Sequence, residues 1–346
     1  MENEFTSVLK EYTSLGINQQ LDYDKFYLYS IITHSTAIEG STVTEIENQL
    51  LFDKGISTNK PMSEQLMNLD LKMAYEKSFE YAKNHQKITI ELLCNLASLV
   101  MRNTGSTYNT IAGKFSSSKG ELRLLNVSAG RGGKSYIAWQ KVSDSLQKFC
   151  DWINEERSKI NSIEKTDIKK IYKLSFEVHY RLATIHPWAD GNGRMSRLVM
   201  NMIQYEYGII PSIVKKESRG EYIQSLSECQ DVGNPMKFID FMMNHHIQNL
   251  NQQIDEYKKS LESDLSEGGQ KNKGGQKRWS ETSQKILELI KQNPQVSRKE
   301  LCDNLEINPS AVQKHIEKLK AQGIIKRIGG AKGGHWEIVE TDAIRL

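Results

Sequence analysis

No apolar run in this 346-residue sequence approaches the ~20 residues that a membrane-spanning helix requires, so no membrane partner is expected. The opening Met-Glu-Asn-Glu-Phe-Thr lacks the basic-then-apolar layout of a secretory leader. Cysteine is scarce: Cys94, Cys150, Cys229 and Cys302 are widely spaced and none stands in a CxxC pair. That argues against a disulfide framework or a zinc site, and for reduced thiols in the core of a cytoplasmic protein. No internal repeat is present. A P-loop is also missing, because G-x-x-x-x-G-K-[ST] ending at Lys134-Ser135 needs glycine at 128, where Ser128 stands. Gly130 to Gly133 therefore reads as a flexible tip. His245 and His246 have no acidic or cysteine neighbours to complete a metal site.

The length allows two or three domains, one with a substantial core. Charge is nearly balanced overall but not along the chain. From Lys271 to Leu346 fifteen Lys and Arg face nine Asp and Glu, a net of +6, while the remainder nets −3.

The densest chemistry lies in His186-Pro187-Trp188-Ala189-Asp190-Gly191-Asn192-Gly193-Arg194-Met195-Ser196-Arg197. An apolar helical stretch precedes it from Ile171 to Ile185, and another follows from Leu198 to Tyr207. Pro187 cannot continue the first helix, since it lacks an N–H and restricts the residue before it. The second should start near Asn192 and aim several unpaired N–H groups into the turn, where the positive end of the helix dipole favours phosphate. Arg194 and Arg197, roughly 60° apart around a helix, share a face suited to a polyphosphate. Asp190 is placed to hold Mg²⁺ beside phosphates, and His186, mostly neutral at pH 7, can accept a proton. Together these groups suggest transfer of a phosphorus-containing group to a hydroxyl.

This stretch resembles the Fic motif, H-x-F-x-[D/E]-G-N-G-R-x-x-R, with Trp188 in place of the usual Phe; the resemblance is strongest over Asn109 to Leu250. It implies a protein adenylyltransferase that moves AMP from ATP to a Ser, Thr or Tyr hydroxyl of a target protein, or of itself. On that resemblance His186 is the base and Asp190 the ligand of Mg²⁺, with Mn²⁺ as the alternative. Gly191, Asn192, Gly193 and Arg194 cradle the α- and β-phosphates, and Arg197 meets the γ-phosphate. Upstream, Ser35-Thr36-Ala37-Ile38-Glu39-Gly40 is similar to the family's inhibitory signature, [S/T]-x-x-x-E-[G/N]. There Glu39, one helical turn from Ser35, would pair with Arg197 and occupy the γ-phosphate space. Between Gly113 and Tyr136, three short apparent strands correspond to the family's flap, with Tyr136 and Ile137 as its anchoring side chains.

The implied fold is mainly α: a Fic-type helical bundle with a small β-hairpin flap, plus a C-terminal winged-helix domain. Its expected divisions are an N-terminal helical region over 1–100, a catalytic core over 101–259, a linker over 260–280 and a winged helix-turn-helix over 281–346. The first 21 residues give little periodic signal, and helices are expected over Asp22–Ile38, Ser63–Asn84, Thr89–Arg102, Trp139–Glu156, Lys165–Ile185, Arg219–Cys229 and Met236–Gln253. Leu66, Leu69, Met73, Tyr75 and Phe79 mark the core face of the second of these, and His179 reads as a supporting residue. Thr42 and Glu45 have capping-box spacing for a helix through Phe52. In the last domain Asn308-Pro309-Ser310 opens a recognition helix whose face includes Gln313, Lys314 and Lys318, and the basic charge suits DNA; such modules also dock proteins or form homodimers. Three rivals stay open: a different nucleotide donor, removal of AMP with Glu39 positioning water, and a nucleotide-sensing transcriptional regulator.

Overall fold

The computed structural model describes residues 2–19, 23–129, 133, 135–161, 168–267, 281–305, 307, 309–321, 324–328 and 334–338. Asp22, Gly130 to Gly132, Lys134, the start of the expected helix at Lys165, the linker from 268 onward, Asn308, the wing turn 329–333 and Val339 lie outside the described residues. The elements run α1 Glu2–Ser14, α2 Tyr23–Ile38, α3 Glu45–Lys54, α4 Met62–Lys83, α5 Ile90–Val100, β1 Thr107–Thr110 and β2 Gly113–Ser116. Then follow α6 Val142–Asn161, α7 Ile168–Ile185, α8 Asn192–Glu206, α9 Arg219–Val232, α10 Met236–Glu267, α11 Glu281–Gln292, α12 Arg298–Leu305, α13 Pro309–Ala321, β3 Ile325–Ile328 and β4 His335–Ile338. The fold is mainly α, with two small antiparallel hairpins among the described residues. No helix among them is long and apolar enough to cross a membrane, and all four cysteines are free. The chain forms two compact units, residues 1–9 with 25–253 and residues 10–24 with 254–346.

In the first unit α8 packs between α7 and α4 and is buried nearly all round, from Arg194 through Gln204. A helix buried on every side must satisfy its polar groups internally. Asn201 donates to Gln204 Oε1 and to the Ser212 carbonyl and accepts from the Tyr75 hydroxyl, while Gln204 donates to Ser175 and Ser212. A second buried network ties α2, α3 and α4 together. Asn68 Oδ1 accepts from Thr36 and Asn48, and Asn68 Nδ2 donates to Ser41.

Several expectations are corrected. The weakly patterned first residues form α1, whose Phe5 and Val8 are buried one turn apart. The capping box starting α3 is Thr44 with Glu47, not Thr42 with Glu45, because the Thr42 amide and hydroxyl both donate to Glu64. The buried face of α4 runs through Gln65, Asn68, Leu71, Tyr75 and Ser78, whereas Leu66, Leu69 and Met73 are only half-buried. Trp139–Lys141 is a 3-10 turn ahead of α6, and α10 continues into the stretch whose composition reads as linker. Of the three apparent flap strands only Gly113–Ser116 is regular, and it pairs with β1. Residues 121–127 form no regular strand: the Arg123 amide donates to the Pro187 carbonyl in the loop after α7 and the Glu121 amide to Ser116 O, while among the described residues Ser135 bridges Ser128 and Tyr136 N donates to the Val127 carbonyl.

In the second unit three short helices and the β3–β4 hairpin enclose Ile286, Ile290, Leu301, Val312, Ile316, Leu319 and Trp336. The Trp336 indole donates to the Val296 carbonyl at 3.2 Å, pinning the hairpin to the helices. Lys314 and Lys318 on α13 are exposed, but Gln313 is buried and donates to Glu317, so it leaves the expected outward face.

Candidate active site

The loop between α7 and α8 is held by its own side chains. The Trp188 amide donates to Asn192 Oδ1 at 3.1 Å and Asn192 Nδ2 returns to the Trp188 carbonyl at 2.8 Å, so the Asn192 amide closes the turn. Trp188 is buried, and its indole N–H reaches the Gly120 carbonyl at 3.1 Å, a bond that Phe could not make. Gly191 has φ 82°, where a Cβ would also strike Met101 Sδ at 2.7 Å. Its carbonyl starts α8 by accepting from Met195, and the first N–H groups of the helix have no intrahelical acceptor.

Arg123 fastens the other side of the loop. Its amide donates to the Pro187 carbonyl, Nε to His186 O at 2.7 Å, Nη1 to Leu125 O at 2.8 Å and Nη2 to Ile137 O at 2.7 Å. His186 itself sits at φ 53°, outside the helical region its sequence continues. Its Nδ1 faces the Ala183 carbonyl at 3.4 Å, and a proton placed there leaves Nε2 with its lone pair. The Tyr136 ring is stacked on the imidazole with centroids 3.8 Å apart. Burial pushes the His186 pKa down to about 4, the Ala183 carbonyl opposes this, Arg123 adds to it, and Asp190 and Glu39 oppose it. The imidazole is therefore neutral at pH 7, as a proton acceptor must be.

The two arginines of α8 are both buried and have different partners. Arg197 donates Nε to Ser35 Oγ at 2.8 Å, Nη2 to Ser35 O at 3.0 Å and to Glu39 Oε1 at 2.6 Å, and Nη1 to the Tyr222 hydroxyl at 3.3 Å. Tyr222 in turn meets His179 Nε2 at 2.8 Å, and burial lowers the His179 pKa to about 3, with Arg197 adding to the effect. Burial opposes the Glu39 carboxylate, but the charge and hydrogen bonding of Arg197 hold its pKa below the ordinary value. Arg194 has poorer partners: the Val100 carbonyl at 3.3 Å, Met101 Sδ at 3.0 Å and Asp190 at 3.9 Å, with Nε unpartnered among the described residues. Burial lowers its pKa as well.

An orphaned buried guanidinium nitrogen beside a helix N-terminus fits an anion such as phosphate. Glu39 Oε1 lies over Gly193, 2.5 Å from where a Cβ would be, so the carboxylate stands at the mouth of that cradle. Asp190 is exposed, with Oδ1 accepting from Gly191 N at 2.6 Å. No cluster of three metal-ligating side chains occurs among the described residues, and a lone carboxylate suits a hard cation shared with phosphates. The expected site residues His186, Asp190, Gly191, Asn192, Gly193, Arg194 and Arg197 thus line one loop and helix start, with Ser35, Glu39, Tyr136 and the Ile137 carbonyl brought to it from elsewhere. Arg123, Tyr222 and Met101 were not singled out in the sequence, because nothing local distinguishes them from ordinary charged or core residues.

The Fic/DOC family matches residues 87–204, and the family described as winged helix-turn-helix DNA-binding matches residues 280–326. The protein adenylyltransferase fic-1 of Caenorhabditis elegans is 26% identical over 252 residues, covering 72% of this chain and 45% of that protein. The protein adenylyltransferase Fic of Drosophila grimshawi is 30% identical over 214 residues, covering 61% of this chain and 40% of its own. The chain thus spans less than half the length of these curated relatives. Among solved structures, a Fic domain-containing signalling protein from Bacteroides thetaiotaomicron shares the fold with a TM-score of 0.60 at 19% identity, over 72% of this chain and 96% of that one. The chain therefore carries a Fic/DOC-family domain over residues 87–204 and a winged helix-turn-helix domain over residues 280–326.

Proposed function

We propose that the first unit is a protein adenylyltransferase that moves AMP from ATP to a side-chain hydroxyl of a target protein, and that Glu39 holds it in a low-activity state. The observation that carries this reading is one loop bearing a half-buried neutral imidazole beside an under-partnered arginine and a helix N-terminus. The target hydroxyl attacks the α-phosphorus while His186 Nε2 takes its proton. The bond from that phosphorus to the bridging oxygen breaks, and pyrophosphate leaves against Arg194 and the start of α8. Asp190 would hold Mg²⁺, which when bound supplies charge neutralisation at the phosphates. A positioned base contributes about 10²–10⁴-fold, and arginine stabilisation of phosphoryl charge about 10³–10⁵-fold.

Glu39 would act by holding Arg197 and filling the space over Gly193 that a γ-phosphate needs. Its side chain is 35% exposed, so the pair is worth less than a fully buried one. About 1.5–3 kcal/mol, or roughly 10- to 100-fold in population, is a reasonable range. The test is incubation of a Glu39→Gly protein with lysate and α-labelled ATP, GTP, CTP and UTP in parallel. Labelled protein with ATP, absent in Glu39→Gly/His186→Ala, is the expected result; label from another nucleotide would name a different donor. Loss of label from a modified target in the unsubstituted protein would instead favour removal of AMP.

The winged helix-turn-helix match supports a second role in binding DNA, with exposed Lys314 and Lys318 on α13 and Lys326 on β3 facing phosphates. A DNA shift assay with and without ATP tests it. Mobility unchanged at low salt would count against DNA as the partner.

A further inference from the structure

Tyr136 has a placement that the transfer chemistry alone does not explain. Its ring lies nearly flat on the His186 imidazole, the planes 18° from parallel and the centroids 3.8 Å apart. Both rings are fixed by their backbones. Tyr136 N donates to the Val127 carbonyl, the preceding Ser135 bridges Ser128, and the following Ile137 carbonyl accepts from Arg123. The same guanidinium donates to the His186 carbonyl, so one buried side chain sets the spacing between the two rings.

Resting on the transfer reading above, we propose that Tyr136 is a positioning residue: its ring closes one face of His186, fixes the imidazole plane and leaves the Nε2 edge for the incoming hydroxyl. The flap then does more than present a target. Its own side chain keeps the base in one orientation and covers it from water before any target arrives. Closing the face matters because His186 is surrounded by groups of both signs. Burial, to which the tyrosine ring contributes, and Arg123 from the 121–127 segment favour the neutral ring. The Ala183 carbonyl on α7, Asp190 in the loop and Glu39 in the turn after α2 favour the charged ring. Uncovering the face weakens the first set and leaves the second, so the imidazole titrates closer to its ordinary value of about 6.5.

The test compares Tyr136→Phe, which keeps the stacked ring, with Tyr136→Ala, which removes it, in the full chain. Histidine Cε1 resonances are followed by NMR against pH, with His186 assigned by its loss in His186→Asn. The expected result is that His186 stays neutral down to pH 5 in the parent and in Y136F, and titrates above pH 5 in Y136A. In a Glu39→Gly background, kcat for transfer should fall about 10-fold or more in Y136A with little change in KM for ATP, and Y136F should restore it. If Y136A does not fold, Tyr136→Ser uncovers the ring equally and takes its place. The proposal is overturned if His186 in Y136A titrates with the parent, or if Y136F behaves as Y136A does. No transfer even in the Glu39→Gly parent, together with the expected titrations, would sink the transfer reading while leaving the ring's covering role intact.

Discussion

Arg194 and Arg197 leave α8 three residues apart, have the same chemistry and are almost equally buried, at 3% exposure each. Arg197 is held by two oxygens of Ser35, the Glu39 carboxylate and the Tyr222 hydroxyl. Arg194 has one long contact to a carbonyl, one to a thioether, a carboxylate at 3.9 Å and a nitrogen unpartnered among the described residues. A buried guanidinium is costly to leave unpaired, so the imbalance has a direction: Arg194 is left short of partners, and Arg197 is held by the chain itself. The second turn of the helix is engaged by α2 through Ser35.

The largest expected effect lies outside both arginines. His186→Ala should lower transfer by about 10²–10⁴-fold with an unchanged melting temperature, because neither arginine can act on a hydroxyl that is not deprotonated. Retained labelling with α-labelled ATP would break the comparison at its root. Next, Glu39→Gly should free Arg197 and raise transfer roughly 10- to 100-fold, read as initial rates of label incorporation; equal rates would mean that the carboxylate does not restrain the arginine. The arginines themselves sharpen the contrast in calorimetry without nucleotide. Arg197→Met strips three partners of their donor and should cost about 2–4 kcal/mol, whereas Arg194→Met should cost less than about 1 kcal/mol yet abolish stabilisation by ATP. Similar melting temperatures for the two variants would erase the distinction.

The remaining effect concerns pH. Depressed by burial to about 3, His179 and His246 take up protons in the unfolded chain near pH 6.5 but not in the folded one. The unfolded state then binds more protons, so stability falls as pH drops below about 6.5, by roughly 2 kcal/mol for each by pH 5. His246→Phe should flatten that decline in a melting series from pH 7 to pH 5. Glu39 has the carboxylate sign: its folded pKa is depressed, so its contribution is present above its unfolded value and is lost only as pH falls through the lower folded one. The grip on Arg197 should therefore persist in mild acid, and transfer by the unsubstituted protein should stay low at pH 5.5.

The motif loop was legible because its logic is local. His186, Pro187, Asp190 and the two arginines fall within a few turns of chain, and the helix that starts at Asn192 follows from the glycine turn ahead of it. The start of α3 shows where such reading fails. Thr42 with Glu45 and Thr44 with Glu47 have the same spacing, and Glu64 on another helix decides between them by taking Thr42. The face of α4 misled for a related reason: Gln65, Asn68 and Asp70 are buried by partners elsewhere in the chain, so apolarity did not mark the inside. Gln313 went the same way, a polar residue that reads as outward but lies inside.

By itself the sequence determined which chemical groups meet at the loop, since a base, a carboxylate and two guanidiniums within twelve residues stay near one another in almost any helix–turn–helix geometry. Tertiary structure decided what each of them is free to do. Arg197 is occupied through Glu39, 158 residues away, and His186 is oriented through Arg123, 63 residues away. Hydrogen bonds over such separations exist only once α2 and the 121–127 segment have packed against α7 and α8. Residue type and spacing carry no record of which donor finds which acceptor there.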